Sequence, residues 1–251
     1  MMDGLSGATK KGNFLPGLED VECHGSLLVL VEMLNHTGYF MLPRFEEVCE
    51  VVFNLTNHPK ALIRFEVVRL CPRLARTCPS VFQRRVLATA LDYLIQTASN
   101  PPTAKRVIDL RPSAYVALGQ LSLAITEPDD LSAPTVSETR CCLYSDSALC
   151  QRLDEIFSLV RMGLASNSSK SFGEVNVTRA ALNCGASVVK ALGDRSFPYV
   201  EDLLDGMYKS GLSDDLIDSL RSVATIIPSK QVRMSASRNV KSACDLINSQ
   251  F

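Results

Sequence analysis

The chain of 251 residues carries 26 Lys and Arg against 27 Asp and Glu, which gives a formal net charge of −1. A chain this close to neutrality is not a bulk polycation, so its overall charge excludes general electrostatic binding of nucleic acid. Apolar residues make up 46%, while Gly and Pro are modest at 13 and 12, which predicts a packed core and excludes a disordered or collagen-like chain.

The first residues, Met1-Met2-Asp3-Gly4, lack the charged and apolar pattern of a secretory signal. No apolar run approaches the roughly 18 residues that a membrane span requires. Nine cysteines occur without a Cys-x-x-Cys pair, and the three histidines do not fall at zinc spacing. We therefore expect reduced thiols and a cytoplasmic location.

Residues 1–18 show no apolar period and are predicted to form a flexible N-terminal arm. From there to residue 229, apolar side chains recur at helical spacing, and no run reads convincingly as a strand. The predicted helices lie near 20–35, 43–58, 60–77, 80–97, 112–125, 147–165, 174–193, 197–210, 213–227 and 231–249.

Proline, glycine and serine residues indicate where several of these helices begin, bend or end. Pro43 and Pro112 each fall in a first helical turn, where the missing N–H costs little. Pro72 is expected to kink its helix because it removes one backbone hydrogen bond. Gly193 is expected to close a helix as a C-terminal glycine, and Ser213 to cap the N-terminus of another.

Short turns between these helices indicate antiparallel hairpins in sequence order. Helix 112–125 is apolar on nearly all sides and is predicted to be deeply buried, anchoring the stack. The sequence thus predicts an all-α fold, an α-solenoid of HEAT-type helical hairpins over 19–229, with a compact bundle as the alternative. Polar composition predicts a loop insertion at 126–146, a linker at 166–172 and a basic C-terminal helix or tail at 230–251.

The motifs of common enzymes are not recognisable in this sequence. Gly193-Asp194-Arg195 resembles part of a kinase catalytic loop, but no metal-binding Asn follows at the required distance and no Asp-Phe-Gly is present. His24, His36 and His58 are expected at helix edges or turns, which favours capping or surface roles over catalysis. We therefore predict no catalytic, cofactor-binding or metal-ligating residue and no cofactor.

The region 60–111 is basic, with ten Lys and Arg against three acidic residues. Three interpretations remain open: a solvated face with some internal ion pairs, a surface for an acidic protein, or a surface for nucleic acid or lipid headgroups. Phosphate recognition without aromatic side chains between the arginines would be unspecific. The residues predicted to form a partner surface are Arg84, Arg85, Lys105, Arg106 and Arg111.

Three stretches resemble the amino-terminal HEAT region of target-of-rapamycin (TOR) kinases, most closely the plant members. The first runs from His24-Gly-Ser-Leu-Leu through Thr37-Gly-Tyr-Phe-Met-Leu-Pro-Arg-Phe-Glu-Glu-Val. The second is Ser113-Ala-Tyr-Val-Ala-Leu-Gly-Gln-Leu. The third begins Leu203-Leu-Asp-Gly-Met-Tyr-Lys and continues through Ser-Gly-Leu-Ser-Asp-Asp-Leu-Ile-Asp-Ser-Leu220. Their order and spacing extend the resemblance over about residues 20 to 229.

The resemblance implies a long α-solenoid ahead of a serine/threonine kinase, scaffold subunits of TOR complexes as partners, and nutrient-responsive growth signalling. By the same resemblance the cytoplasmic location extends to the nucleus and endomembranes. The family continues far beyond the position of Phe251, and the segment from Lys230 is more basic than its counterpart there. We therefore interpret the chain as a fragment or truncated form.

The expected function is that of a non-catalytic scaffold for protein–protein interaction. The alternative is a generic HEAT or armadillo adaptor unrelated to kinases. An uncapped apolar end of a cut solenoid would also favour self-association.

Overall fold

The structure, a computed structural model, describes residues 18–36, 38–101, 108–126, 148–165 and 172–226. These residues form helices and turns without a strand among them, which confirms the predicted all-α class. Apart from their boundary residues, the predicted arm, insertion, linker and tail lie outside the described residues, at 1–18, 126–146, 166–172 and 230–251.

The α-helices of the described ranges are numbered in chain order. They are α1 (Leu18–His36), α2 (Phe45–Asn54), α3 (Ala61–Thr77), α4 (Pro79–Arg85), α5 (Leu87–Ser99), α6 (Arg111–Thr126), α7 (Ala148–Gln151), α8 (Leu153–Ala165), α9 (Phe172–Leu192), α10 (Phe197–Lys209) and α11 (Asp214–Ala224). Two 3₁₀ helices, Gly38–Arg44 and Gly193–Ser196, lie between them.

The helices pack in two layers. In the first layer α1, α3, α6, α9 and α11 lie side by side in chain order, each contacting the next. In the second layer α8 contacts both α5 and α10, while α2 packs on α3. Because each helix of the first layer contacts the next member of that layer, the arrangement is consistent with a helical solenoid. Among the described helices, we find none with the length and apolar character needed to cross a membrane.

Local sequence signals place several helix ends as predicted. Gly193 follows α9 with a φ of 55°, and Gly211 follows α10 with a φ of 94°, which are conformations that favour glycine. The Leu216 N–H donates to Oγ of Ser213 at 3.1 Å, which confirms the predicted N-cap of α11. Pro112 is the second residue of α6, as its position in the sequence indicates.

The structure differs from three of the predicted helices by more than a residue or two at one end. Pro43 lies within the first 3₁₀ helix, and α2 begins only at Phe45. The helix predicted over 80–97 is divided at Val86, whose φ of −121° leaves the helical region and whose branched side chain favours helices less than an unbranched one. The helix predicted over 147–165 is likewise divided at a turn around Arg152.

Helix α1 departs from its predicted apolar face. Leu27, Val31 and Leu34 are buried, whereas Val21 and Leu28, predicted on the same side, are exposed by 67% and 40%. The reason is position, because α1 stands at one end of the first layer and packs mainly on α3 and the following 3₁₀ helix. The side of α1 that bears Val21 and Leu28 is therefore left exposed within the described part of the chain.

Helix α6 is the buried centre of the stack, as predicted. It packs against α3, α5 and α9, and most of its side chains are buried. Tyr115 is 2% exposed, and its hydroxyl donates to the carbonyl oxygen of Leu159 in α8 at 2.8 Å. A single buried tyrosine thus joins the two layers with a satisfied hydrogen bond.

Glycines allow close helix packing around this centre. A Cβ atom on Gly119 would lie 3.0 Å from Cβ of Ser187 and 3.1 Å from Cα of Cys184. The backbone of α6 at Gly119 therefore packs directly against α9. A Cβ atom on Gly163 would lie 2.7 Å from Cβ of Ala181 and 2.8 Å from the Tyr115 hydroxyl. Any larger residue at these positions would separate the helices or displace the tyrosine.

This packing predicts opposite effects for two glycine substitutions. We expect Gly163→Ala to lower the free energy of unfolding by about 1–3 kcal/mol, because the added methyl group overpacks the contact with Ala181 and Tyr115. Gly25→Ala in α1 has open space around the new methyl group and should raise it by about 0.5–1 kcal/mol. Urea unfolding of both variants measures the difference, and stabilisation by Gly163→Ala would contradict the packing described.

Candidate protein-interaction surface

The first two residues predicted to form a partner surface lie on α4. Arg84 and Arg85 are both exposed. The Arg84 Nε donates to the carbonyl oxygen of Ser80 at 3.3 Å, and Nε of Arg85 lies 3.8 Å from a carboxylate oxygen of Glu46 in α2. Because Arg85 and Glu46 are 71% and 65% exposed, their attraction is weak and leaves the arginine accessible.

Arg111 occupies a different environment. Only 15% of its side chain is exposed, and Nη2 lies 2.9 Å from Oδ2 of Asp109 and 3.2 Å from Oε1 of Glu174. Hydrogen bonds to Asp109, with the Coulombic effect of both carboxylates, raise the pKa of Arg111 above its already high value, against the desolvation that lowers it. Arg111 thereby ties the start of α6 to the start of α9.

Three of the five predicted residues lie in the described part of the chain, and their environments differ. Arg84 and Arg85 share α4, while Arg111 belongs to the internal ion-pair cluster with Asp109 and Glu174. Lys105 and Arg106 lie outside the described residues.

A groove on the first layer combines residues that the sequence does not place together. It has a volume of about 550 Å³ and runs across α3, α6 and α9. Short buried residues line its base, namely Pro72, Ala117 and Ala180. Polar and basic side chains also line it, namely Arg69, Arg73, Gln120, Asn176, Arg179 and Asn183.

Two of the three groove arginines have carboxylate partners. The Nη1 atom of Arg69 lies 3.1 Å from both carboxylate oxygens of Glu66, a residue of α3 whose side chain is 4% exposed. The Arg69 guanidinium also lies 5.6 Å from the centre of the Phe65 ring. Nε of Arg179 lies 2.7 Å from Oδ2 of Asp215, which links α9 to α11.

Arg73 differs from these two arginines. Its Nη1 atom is buried and has no hydrogen-bond partner among the described residues. A buried donor without an acceptor is costly, because it loses its hydrogen bonds to water without replacement. Arg73 therefore brings to the groove a guanidinium with one buried nitrogen that has no hydrogen-bond partner within the described part of the chain.

Sequence reasoning missed this groove for a specific reason. The basic character of 60–111 indicated Arg69 and Arg73, but Arg179 and Asn183 come from a helix more distant in sequence. Asn176, Arg179 and Asn183 are spaced three and four residues apart, so they share one face of α9. This spacing was the signal in the sequence that could have indicated their side of the groove.

An apolar depression lies at the α1 end of the fold. It has a volume of about 650 Å³ between α1, the first 3₁₀ helix and α2, lined by Leu30, Met33, Met41, Val48 and Val51 among others. Val29 and Val51 are exposed by 59% and 62% nearby. These exposed residues are consistent with the apolar end expected to favour self-association, which stays a prediction.

The surroundings of two buried cysteines and two histidines bear on whether these side chains could take part in chemistry. Burial raises the pKa of the Cys71 and Cys184 thiols to about 12, so both remain protonated near neutral pH. Nδ1 of His58 accepts a hydrogen bond from the Lys60 N–H at 3.1 Å, and the His36 side chain is 77% exposed. Within the described ranges, no three His, Cys, Asp or Glu side chains group closely enough to hold a metal ion.

The environment of Arg111 predicts a structural role. We expect Arg111→Met to lower the free energy of unfolding by about 1–3 kcal/mol, because it removes charged hydrogen bonds and leaves Asp109 and Glu174 facing each other. The control Arg84→Met, on an exposed face, should change it by no more than about 0.5 kcal/mol. Equal unfolding midpoints for Arg111→Met and the unmodified chain in urea would contradict this role.

Comparison with known proteins relates this chain to one group of kinases. No protein-family model matches it. It is 30% identical over 207 residues to the serine/threonine-protein kinase TOR of Oryza sativa subsp. japonica, and 30% identical over 206 residues to that of Arabidopsis thaliana. It is 22% identical over 184 residues to the serine/threonine-protein kinase mTor of Drosophila melanogaster.

These matches cover most of this chain and little of the relatives. Each plant alignment includes 82% of the chain but 7% of the kinase, and the Drosophila alignment includes 73% and 6%. The chain thus spans about 7% of the length of its curated plant relatives. Over most of its length, this all-helical chain is related by sequence to a short stretch of the TOR serine/threonine-protein kinases.

Proposed function

We propose that this chain is a non-catalytic helical-repeat scaffold that binds proteins in the manner of the amino-terminal HEAT region of a TOR kinase. The observation that carries the proposal is the similarity to TOR kinases along 82% of the chain, in a molecule built from successive packed helices. Stacked helices of this kind present long continuous faces to partners, because each unit packs only on its neighbours.

The architecture supports binding rather than phosphoryl transfer. A protein kinase uses a strand lysine, a catalytic aspartate and metal-binding side chains brought together around the nucleotide phosphates. The described residues form no strand, and Gly193-Asp194-Arg195 forms a short 3₁₀ helix that follows the end of α9. By this proposal, any kinase activity belongs to other parts of a TOR enzyme.

The partner class follows from the relationship with TOR kinases. We assign to this chain the scaffold subunits of TOR complexes as partners, and nutrient-responsive growth signalling as the process it serves. The similarity to kinases of two plants and a fly favours this assignment over a generic HEAT or armadillo adaptor, since an unrelated adaptor has no reason to align with TOR over most of its length.

A pull-down tests the proposal. The immobilised chain is expected to retain purified scaffold subunits of a TOR complex, and a variant with Arg84, Arg85, Lys105 and Arg106 replaced by alanine should retain less, because it removes four positive charges from the predicted surface. The matched control replaces Arg161 and Arg221, whose side chains are 52% and 75% exposed, and should retain as much as the unmodified chain.

The outcomes separate the role of the four basic residues from the binding function of the chain. Unchanged retention by the fourfold variant would remove these four basic residues from the binding face. Failure of the unmodified chain to retain any scaffold subunit would contradict the proposed function itself.

A further inference from the structure

The groove across α3, α6 and α9 is lined by three arginines and by no acidic side chain of the described residues. Arg69, Arg73 and Arg179 contribute positive charge, and neither Asp nor Glu lines the groove itself. Glu66 and Asp215 partly neutralise Arg69 and Arg179 from positions outside the lining. The charge of Arg73 is not compensated by an ion pair among the described residues. The groove is therefore complementary to an anionic group.

Arg73 is the strongest single indication of the ligand. Its buried Nη1 donor has no acceptor in the described part of the chain, although the residue lines an open groove. A planar guanidinium presents paired N–H donors whose geometry matches the two oxygens of a carboxylate. A carboxylate lying in the groove beside the Arg73 guanidinium would neutralise its charge.

The remaining polar side chains suit a peptide main chain. Asn176 and Asn183 stand two helical turns apart on α9, about 10 Å along its axis, and Gln120 faces the same groove from α6. Each primary amide both donates and accepts hydrogen bonds, as a peptide group does. An extended segment rises about 3.3 Å per residue, so about three residues span the distance between the two asparagines.

The face of α3 continues the positive charge beyond the groove. Arg69, Arg73 and Arg76 fall at i, i+4 and i+7 and therefore share one side of the helix. Arg76 is exposed. A ligand bearing several negative charges would meet successive arginines along this line.

We propose that this groove binds an extended acidic segment of a partner protein, with a carboxylate on Arg73 and the main chain on the amides of Gln120, Asn176 and Asn183. The inference rests on the proposed function as a protein-binding scaffold and names the chemistry of one bound segment. A single-stranded nucleic acid is a poorer fit, since such ligands need open aromatic faces for base stacking, and Phe65 lies under the Arg69 guanidinium.

Fluorescence anisotropy tests the groove directly. A fluorescein-labelled peptide of alternating Glu and Gly is titrated with the full chain, and the matched peptide of alternating Lys and Gly serves as the charge control. The Glu peptide is expected to bind, the Lys peptide is not, and added salt should weaken the binding. Arg73→Gln should weaken binding by about tenfold or more, since it removes a charged hydrogen bond.

Two further variants keep the test decisive if Arg73→Gln alters stability. Gln120→Trp changes an exposed residue and fills the groove with a bulky ring, so it should also weaken binding by about tenfold or more. The double variant Arg161→Gln with Arg221→Gln removes two exposed charges from outside the groove lining and should leave the affinity unchanged. An equal loss in this control would show nonspecific attraction and overturn the groove as the site.

The pull-down with TOR-complex scaffold subunits distinguishes failure of the groove inference from failure of the proposed function. Retention of a subunit without binding of the Glu peptide would overturn the groove inference and leave the proposed function standing. Absence of both would overturn both. A fluorescein-labelled oligonucleotide that binds more tightly than the Glu peptide, and loses that binding with Gln120→Trp, would assign the groove to nucleic acid instead.

Discussion

The close approach of α6 and α9 is the contact on which the rest of the described structure depends. Gly119 permits it, because a side chain there would meet Ser187 and the backbone of Cys184 at about 3 Å. With these two helices in contact, α3 and α11 lie on either side of them. The groove exists because this central pair contributes the short residues Ala117 and Ala180 to its base, while longer side chains stand at its sides.

The distribution of arginines explains how a nearly neutral chain presents a basic surface. Several arginines serve internal connections: Arg69 holds the buried Glu66, Arg111 joins α6 to α9, and Arg179 joins α9 to α11. Water screens the attraction within an exposed ion pair more than within a buried one. The contribution of each pair to stability therefore depends on its burial. Arg73 lacks such a connection among the described residues, which is why the binding argument centres on it.

The fold could be predicted from sequence to the extent that local chemistry decides it. Gly193 and Ser213 ended and began helices as expected, since a left-handed glycine and a capping hydroxyl act within one turn. The exposed face of α1 could not be foreseen, because it depends on which neighbours cover the helix. The partner surface was predicted from charge density along 60–111, which cannot distinguish the internally paired Arg111 from the exposed Arg84. The groove required the pairing of α3 with α6 and α9, which helical periodicity does not reveal.

Amide hydrogen exchange of the chain, with and without a bound TOR-complex scaffold subunit, locates the surface that the chain uses for binding. The proposal under test is that the chain binds proteins and that the groove formed by the packing of α3, α6 and α9 takes part in the binding. The account predicts slower exchange on binding in the peptides that contain residues 65–76, 112–120 and 176–183, which line or border the groove. Binding that leaves all three segments unchanged and slows exchange elsewhere would contradict it.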